Sequence, residues 1–429
     1  MSTLMIGLLL LGCFLVLLAI GVPIAIGIAV SSLLTLLVIL PPDQALFVVM
    51  QTMNVGLESF TLLAVPLFIL AGNIMNNGGI ATRLIRLAQM LTGRVPGSLA
   101  QTNVLGNMLF GSLSGSAVAA AAAIGGTMQR EQREAGYDPA YSAAVNIGSA
   151  PSGLLIPPTT AFIVYSMIAG GVSIGALFMA GIIPGILMGV TVMIVALIFA
   201  IRHKLPKATR DQGVSALRIV LDAVPSLLLV VIVVGGIVGG IFTATEGAGV
   251  AVVYALLLSL IYRSLSFRDV LITLHRSIVT SGVILLLIAA SSAMSWVMAY
   301  TGLPSAISDA LLGISQSPTI ILLLMVVMLV AVGTFMDITP AILIFTPILL
   351  PIAEDLGMDP VHFGAVLIFS MCIGTMTPPV GSVLFVGVSV GGTTIEKVFP
   401  KLVPIVLALI GVLLLAVGAK AQRRGAEHI

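Results

Sequence analysis

Charge is what this sequence has least of: only 8% of its 429 residues are Asp, Glu, Lys or Arg. A soluble domain carries about 25% charged residues, so a water-exposed globular surface is excluded for most of the chain. The net charge is +2, with lysine and arginine gathered in a few short segments; they form neither a nucleic-acid face nor an acidic or basic tail. Cysteine is nearly absent. Cys13 and Cys372 lie in apolar stretches without metal-ligand spacing, which excludes a disulfide framework and leaves no redox motif. Histidine is equally sparse. His203, His275, His362 and His428 fall in loops or at the ends of apolar runs, away from the depth at which proton relays place titratable groups. No cluster of histidine, cysteine and acid stands inside those runs, so a membrane-embedded enzyme has no machinery here. The single tryptophan, Trp296, lies near the end of a run and fits an interfacial anchor.

What is abundant is oil. Apolar residues make up 59% of the chain and the mean hydropathy is +1.23. A helix needs about 20 predominantly apolar residues to cross a bilayer. Runs of that order recur from end to end, which predicts an all-α polytopic membrane protein with the lipid bilayer as its solvent. The first lysine or arginine is Arg83, so the N-terminal run lacks the basic flank of a secretory signal and is read as a retained span.

The pattern predicts helices over about 5–39, disturbed at Pro23, and 59–77. The stretch 78–97, with Arg83, Arg86 and Arg94 interleaved with leucine and methionine, reads as an interfacial amphipathic helix. Two half-length segments follow, 98–111 and 117–129, joined by Gly111-Ser112-Leu113-Ser114-Gly115-Ser116 and too short to span. Next come a segment 140–168, interrupted at Ser149-Ala150-Pro151-Ser152-Gly153 and Pro157-Pro158, and a clean span 174–201. Beyond the polar loop 202–218 lie spans near 222–241, 246–263 and 277–300. Short segments 318–333 and 341–353 flank Gly333-Thr334-Phe335-Met336-Asp337-Ile338-Thr339-Pro340. A segment 361–390 breaks at Gly374-Thr375-Met376-Thr377-Pro378-Pro379, and a final span covers 402–419.

The order of elements repeats, and so do residues. An offset of 221 carries Gly136, Asp138 and Pro139 onto Gly357, Asp359 and Pro360, and Gly153 onto Gly374. It also carries Pro157 and Pro158 onto Pro378 and Pro379, and Gly170 and Gly171 onto Gly391 and Gly392. One gapless register over about 36 residues marks a duplication.

Basic residues mark cytoplasmic loops: Arg83, Arg86 and Arg94; Arg130 and Arg133; Arg202, Lys204, Lys207 and Arg210; Arg263, Arg268 and Arg276; Lys397 and Lys401. All can lie on one side only if both short pairs are re-entrant hairpins, which makes the two halves inverted. Lys420, Arg423 and Arg424 fall on the other side in this scheme. The domains then read as 1–202, a first inverted repeat with a re-entrant hairpin at about 98–134 and a broken helix at 140–168; 203–245, a central cytoplasmic loop and connector helix; and 246–429, a second repeat with a hairpin at about 318–355 and a broken helix at 361–390.

Each unpaired peptide group in hydrocarbon costs on the order of several kcal/mol, so four interruptions need a reason. In secondary transporters such breaks aim carbonyls at cations and helix N-termini at anions, at the interface of inverted repeats. Ser112, Ser114 and Ser116, with the carbonyls from Ser149 to Gly153, offer hard oxygen ligands in the first half. Thr334, Asp337 and Thr339, with Gly374, Thr375 and Thr377, offer them in the second. With no titratable relay at depth, sodium coupling fits better than proton coupling. The alternative for each hydroxyl is close helix packing. An acid within a hydrophobic run costs about 2.5–3.5 kcal/mol on insertion scales and marks a functional position; for Asp337 the alternative is a cap on the following helix. Glu58 and Glu246 stand near span ends, as interfacial residues do.

Together these motifs resemble the large membrane subunit, the M or DctM type, of tripartite ATP-independent periplasmic (TRAP) transporters. The resemblance covers nearly the whole chain and is carried by Ser112-Leu113-Ser114-Gly115-Ser116-Ala117-Val118-Ala119, Leu155-Ile156-Pro157-Pro158 and Phe178-Met179-Ala180-Gly181-Ile182-Ile183-Pro184-Gly185. Met336-Asp337-Ile338-Thr339-Pro340 and Thr377-Pro378-Pro379-Val380-Gly381 complete it. The sequence departs from the family at Phe242–Ala248, where relatives commonly carry proline and alanine in place of Ala244 and Gly247. The resemblance implies an elevator-type fold in the bacterial inner membrane, importing a small organic acid of the sialic acid, C4-dicarboxylate or sugar-acid class together with Na+. It implies two partners, a small four-helix membrane subunit of the Q type and a soluble periplasmic substrate-binding protein. It places substrate between the hairpin tips, at Ser114, Ser116, Asp337, Thr339, Pro157 and Pro378. Sodium ligands would be Ser112, Ser114, Ser149, Gly153, Thr334, Asp337, Thr339, Gly374, Thr375 and Thr377. A stand-alone ion-coupled carboxylate transporter or antiporter of a related hairpin-containing family is the alternative.

Overall fold

The computed structural model describes residues 3–77, 79–206, 215–262, 264–314 and 317–427, and among them the regular structure is helical throughout. Lys207, Arg210, Arg263 and His428, and the side chains of Lys420, Arg423 and Arg424, lie outside the described residues.

Proline and glycine divide the N-terminal run more sharply than expected. Gly21 and Pro23 split it into α1 (Thr3–Ala19) and α2 (Ile24–Ile39), since proline lacks the N–H that would continue the ladder. A helix the hydropathy did not reveal, α3 (Pro42–Val55), starts with proline in its first turn. It bends by 64° into a 3-10 turn at Phe60–Leu63 and α4 (Ala64–Asn77). The amphipathic stretch forms α5 (Ile80–Thr92), but its apolar face, including Ile80, Leu84 and Ile85, is buried against protein. Arg86 and Arg94 face outward, while the Arg83 guanidinium lies 3.6 Å over the Tyr262 ring, a cation–π contact.

Next come α6 (Ser98–Ser114), α7 (Ala117–Glu134), α8 (Pro139–Ser149), α9 (Thr160–Ile168) and α10 (Ile174–Arg202). A 3-10 turn at Ala150–Leu154 separates α8 from α9. The second half contains α11 (Ala216–Val238), α12 (Ala244–Ile261), α13 (Phe267–Thr301), α14 (Leu303–Ile314), α15 (Pro318–Gly333), α16 (Ile338–Asp355), α17 (Pro360–Thr375), α18 (Ser382–Gly391) and α19 (Ile395–Glu427). Among the described residues six helices, α10, α11, α12, α13, α16 and α19, are long and apolar enough to cross a membrane.

Helix α13 starts ten residues before the apolar run predicted for it, and the cause is local. Ser266 and Asp269 form a capping box, which starts the helix among polar residues where hydropathy gives no signal. Thr243 and Glu246 do the same for α12: the Glu246 N–H reaches Thr243 Oγ1 at 3.3 Å and the Thr243 N–H reaches Glu246 Oε2 at 2.8 Å. Glu246 is therefore a structural partner of Thr243 at the helix start. Thr243→Ala is expected to cost about 1 kcal/mol, read as a lower thermal midpoint in detergent with ligand binding unchanged.

Candidate functional site

Two helical hairpins and two interrupted helices meet in one body. In the first hairpin α6 ends at Ser114, Gly115 turns back with φ of 62°, and its N–H reaches Gly111 O at 2.8 Å. Ser116 then caps α7, its Oγ accepting the Ala119 N–H at 3.2 Å. In the second, Thr334–Met336 turn between α15 and α16.

The first arm of each hairpin lies against the interrupted helix of its own half: α6 on the Ala150–Leu154 turn, α15 on α17. The contact is backbone to backbone. A Cβ on Gly153 would stand 2.2 Å from Gly111 Cα, and one on Gly374 would stand 2.5 Å from Gly333 Cα. The second arms cross over, α7 packing on α18 and α16 on α9. The two interruptions adjoin, with the Cys372 thiol directed at Pro151 O at 3.5 Å, so this cysteine is a packing residue. Both proline pairs, Pro157–Pro158 and Pro378–Pro379, carry cis bonds.

The predicted ion ligands sort by how their protons are used. Ser112 Oγ donates to Leu109 O at 2.9 Å, Thr334 Oγ1 to Ala331 O at 2.7 Å, Thr375 Oγ1 to Cys372 O at 2.9 Å and Thr377 Oγ1 to Ile373 O at 2.6 Å. A hydroxyl committed this way presents lone pairs to whatever faces it. Ser114 Oγ points back to Ser116 O at 3.5 Å. Ser149 differs. Its Oγ donates to Val145 O at 2.7 Å and accepts from Asn107 Nδ2 at 2.8 Å, so its oxygen is already engaged. Gly153 and Pro157 are buried, while Ser114, Ser116, Thr339 and Pro378 are half-buried.

Asp337 occupies the N-cap position of α16 but makes no side-chain capping bond. Protein crowds it on most sides, yet its surface is accessible, as on the wall of a crevice. Its carboxylate faces the Ile338 amide and the Ser382 hydroxyl without closing a bond to the serine. The Gly381 N–H reaches Thr334 O at 2.9 Å. The second tip and second interruption thus bring together Thr334, Asp337, Thr377 and Ser382. Sequence reading missed Ser382; its place at the helix start just after Pro378-Pro379 was the available signal. Each hairpin packs on interrupted helices rather than along the other hairpin, so the ligand sets of the two halves form two clusters.

A polar cluster beside the first one was also missed. Asn107 Nδ2 lies 3.1 Å from Asn103 Oδ1, 3.0 Å from Asn146 Oδ1 and 2.8 Å from Ser149 Oγ, and Asn146 Nδ2 donates to Ala121 O at 2.9 Å. Asn103 and Asn107 are four residues apart in an apolar helix, one face of it. That spacing is the sign that gives the cluster away.

The tripartite ATP-independent periplasmic transporter pattern of the DctM component matches residues 11–420. The chain belongs to that family. It is a large TRAP permease, a multi-pass membrane protein and not an enzyme. It is 53% identical over 401 residues to an uncharacterised protein of Salmonella typhimurium, YgiK, covering 93% of this chain and 92% of the relative. It is 37% identical over 372 residues to the sialic acid TRAP transporter large permease of Vibrio cholerae, with 84% and 86% covered. To the 2,3-diketo-L-gulonate TRAP transporter large permease of Escherichia coli it is 36% identical over 408 residues, with 95% of each covered. Among solved structures, the Alcanivorax borkumensis YdaH transporter superposes with a TM-score of 0.64 at 14% identity, covering 88% of this chain and 89% of that one. That likeness concerns the fold alone.

Proposed function

We propose that this large TRAP permease imports a small organic acid across the bacterial inner membrane, driven by Na+. Uptake would require a small four-helix membrane subunit and a periplasmic binding protein that delivers the acid. On this reading 1–202 and 246–429 are inverted repeats joined through 203–245, and the hairpins with their interrupted helices move as an elevator against a scaffold. The observation that carries the ion assignment is the state of the hydroxyls: Ser112 in the first half, and Thr334, Thr375 and Thr377 in the second, give their protons to helix carbonyls, and in the second half the carboxylate of Asp337 makes no capping bond. Oxygen ligands of this kind suit a hard cation. The relatives from Vibrio and Escherichia are named for acids, which supports a carboxylate substrate held between the tips.

The test is uptake into proteoliposomes holding this chain, its small subunit and its binding protein. Asp337→Asn and Ser114→Ala are expected to raise the sodium concentration for half-maximal uptake at least about tenfold, the effect of losing roughly 1.4 kcal/mol of ion binding. Co-purification of the complex would be unchanged. Uptake that proceeds equally in sodium-free buffer defeats the coupling, and uptake by this chain alone defeats the tripartite reading.

A further inference from the structure

The two halves share one cross-contact that is completed in one place and left open in the other. Asp138 caps α8 through the Ala140 N–H at 2.9 Å, and Lys401 on α19 closes an ion pair with its other oxygen. The offset of 221 that relates the halves takes Asp138 to Asp359 and Lys401 to Ala180. Asp359 caps α17 in the same way, through the Val361 N–H at 2.9 Å, and α10, which carries Ala180, packs on α17 as α19 packs on α8. Even the ring contacts correspond: the Tyr141 hydroxyl donates to Ala196 O at 2.9 Å, and His362 Nε2 bonds Ala416 O at 3.0 Å. Only the lysine is missing. In its place is a cavity of about 340 Å³ lined by Ala180, Pro184, Asp359, His362, Val366 and Phe369.

We propose that this cavity binds a primary ammonium group, that of an amine-headed phospholipid, which supplies to Asp359 the charge that Lys401 supplies to Asp138. Three observations select a lipid as its source. The volume suits a small headgroup, lying at the low end of small-molecule sites. Apart from Asp359 and His362 the lining is apolar. The rim is flanked by outward-facing Met179 and Ile183 on α10 and Leu414 and Leu415 on α19, a surface that suits acyl chains. The mouth is at the start of α17, the level at which headgroups meet a helix end.

The experiment compares lipid retained by the purified chain in nanodiscs of phosphatidylethanolamine with phosphatidylglycerol, and of phosphatidylcholine with phosphatidylglycerol, read by native mass spectrometry. Phosphatidylethanolamine adducts are expected to survive detergent exchange in the wild type, and phosphatidylcholine adducts to be lost. Asp359→Asn keeps the helix cap, because asparagine caps as well as aspartate, and should cut retention by a factor of about five, the upper range for an exposed ion pair. Ala180→Lys rebuilds the pair found at Lys401; it should displace the lipid and raise the thermal midpoint in lipid-free detergent. Equal retention of the two lipids, or retention untouched by Asp359→Asn, overturns the proposal. So does displacement by soluble ethylammonium at the same concentration as by phosphatidylethanolamine, which would make the ligand a free amine. Neither readout depends on uptake.

Discussion

Gly153→Ala and Gly374→Ala are expected to reduce uptake more than tenfold and to lower the thermal midpoint, although each adds only one methyl group. At Gly153 that methyl would lie 2.2 Å from Gly111 Cα and 2.4 Å from its carbonyl carbon; at Gly374 it would lie 2.5 Å and 2.6 Å from the matching atoms of Gly333. No flexible side chain is available to yield, so a hairpin must separate from the interruption it rests on. Overpacking of ordinary cores costs about 1–3 kcal/mol, and a contact between two backbones belongs at or above the top of that range. The controls have the opposite sign. Gly12 and Gly249, inside α1 and α12, have nothing within 4 Å of the place a methyl group would take, and alanine there should stabilise by about 0.5–1 kcal/mol through helix propensity. Thermal unfolding followed by native-gel migration separates the two classes.

Asn107→Leu is expected to be the most damaging substitution in the amide cluster that adjoins Ser149. It withdraws the two N–H groups that face Asn103 Oδ1, Asn146 Oδ1 and Ser149 Oγ, all in buried residues. Each buried polar group left without a partner costs about 1–3 kcal/mol. In the second half, with Gly333 matched to Gly111 and Gly374 to Gly153, Met325, Leu329 and Leu367 occupy the corresponding places and are buried in turn. An apolar version of this packing is therefore compatible with the fold. The triple variant Asn103→Met, Asn107→Leu, Asn146→Leu should accordingly lose less stability than the sum of its single changes, and a double-mutant cycle on Asn107 and Asn146 gives the coupling. Strict additivity would show that the amides do not act as one network.

The sequence made the spans and the interruptions legible because both are written in composition. Apolar runs report α10 and α12 to within two residues and α11 to within six, and Pro157-Pro158 and Pro378-Pro379 report where helices must stop. Helix α3 escaped because Asp43, Gln44, Gln51 and Asn54 dilute its hydropathy, and the first turns of α13 escaped because a capping box, not apolar character, starts them. At the site, hydroxyl-rich tips could be picked out, but not how each hydroxyl spends its proton. Ser149 looks like Ser112 on paper; only the position of Asn107 shows that its oxygen is taken. Ser382 and the asparagines were missed for a related reason: Asn146 lies 39 residues from Asn107, and Ser382 faces Asp337 from the far side of an interrupted helix, so each pair is adjacent only once its own half has folded.

The crossing of the second arms sets an order for synthesis. Helices α7 and α9 leave the ribosome before α16 and α18, the helices that cover them, have been made. About 200 residues separate the partners, and translation at roughly 5–20 residues per second leaves them waiting roughly 10–40 s. During that interval α7 and α9 are packed by helices of the first half alone, and the faces that α18 and α16 will later cover stay open.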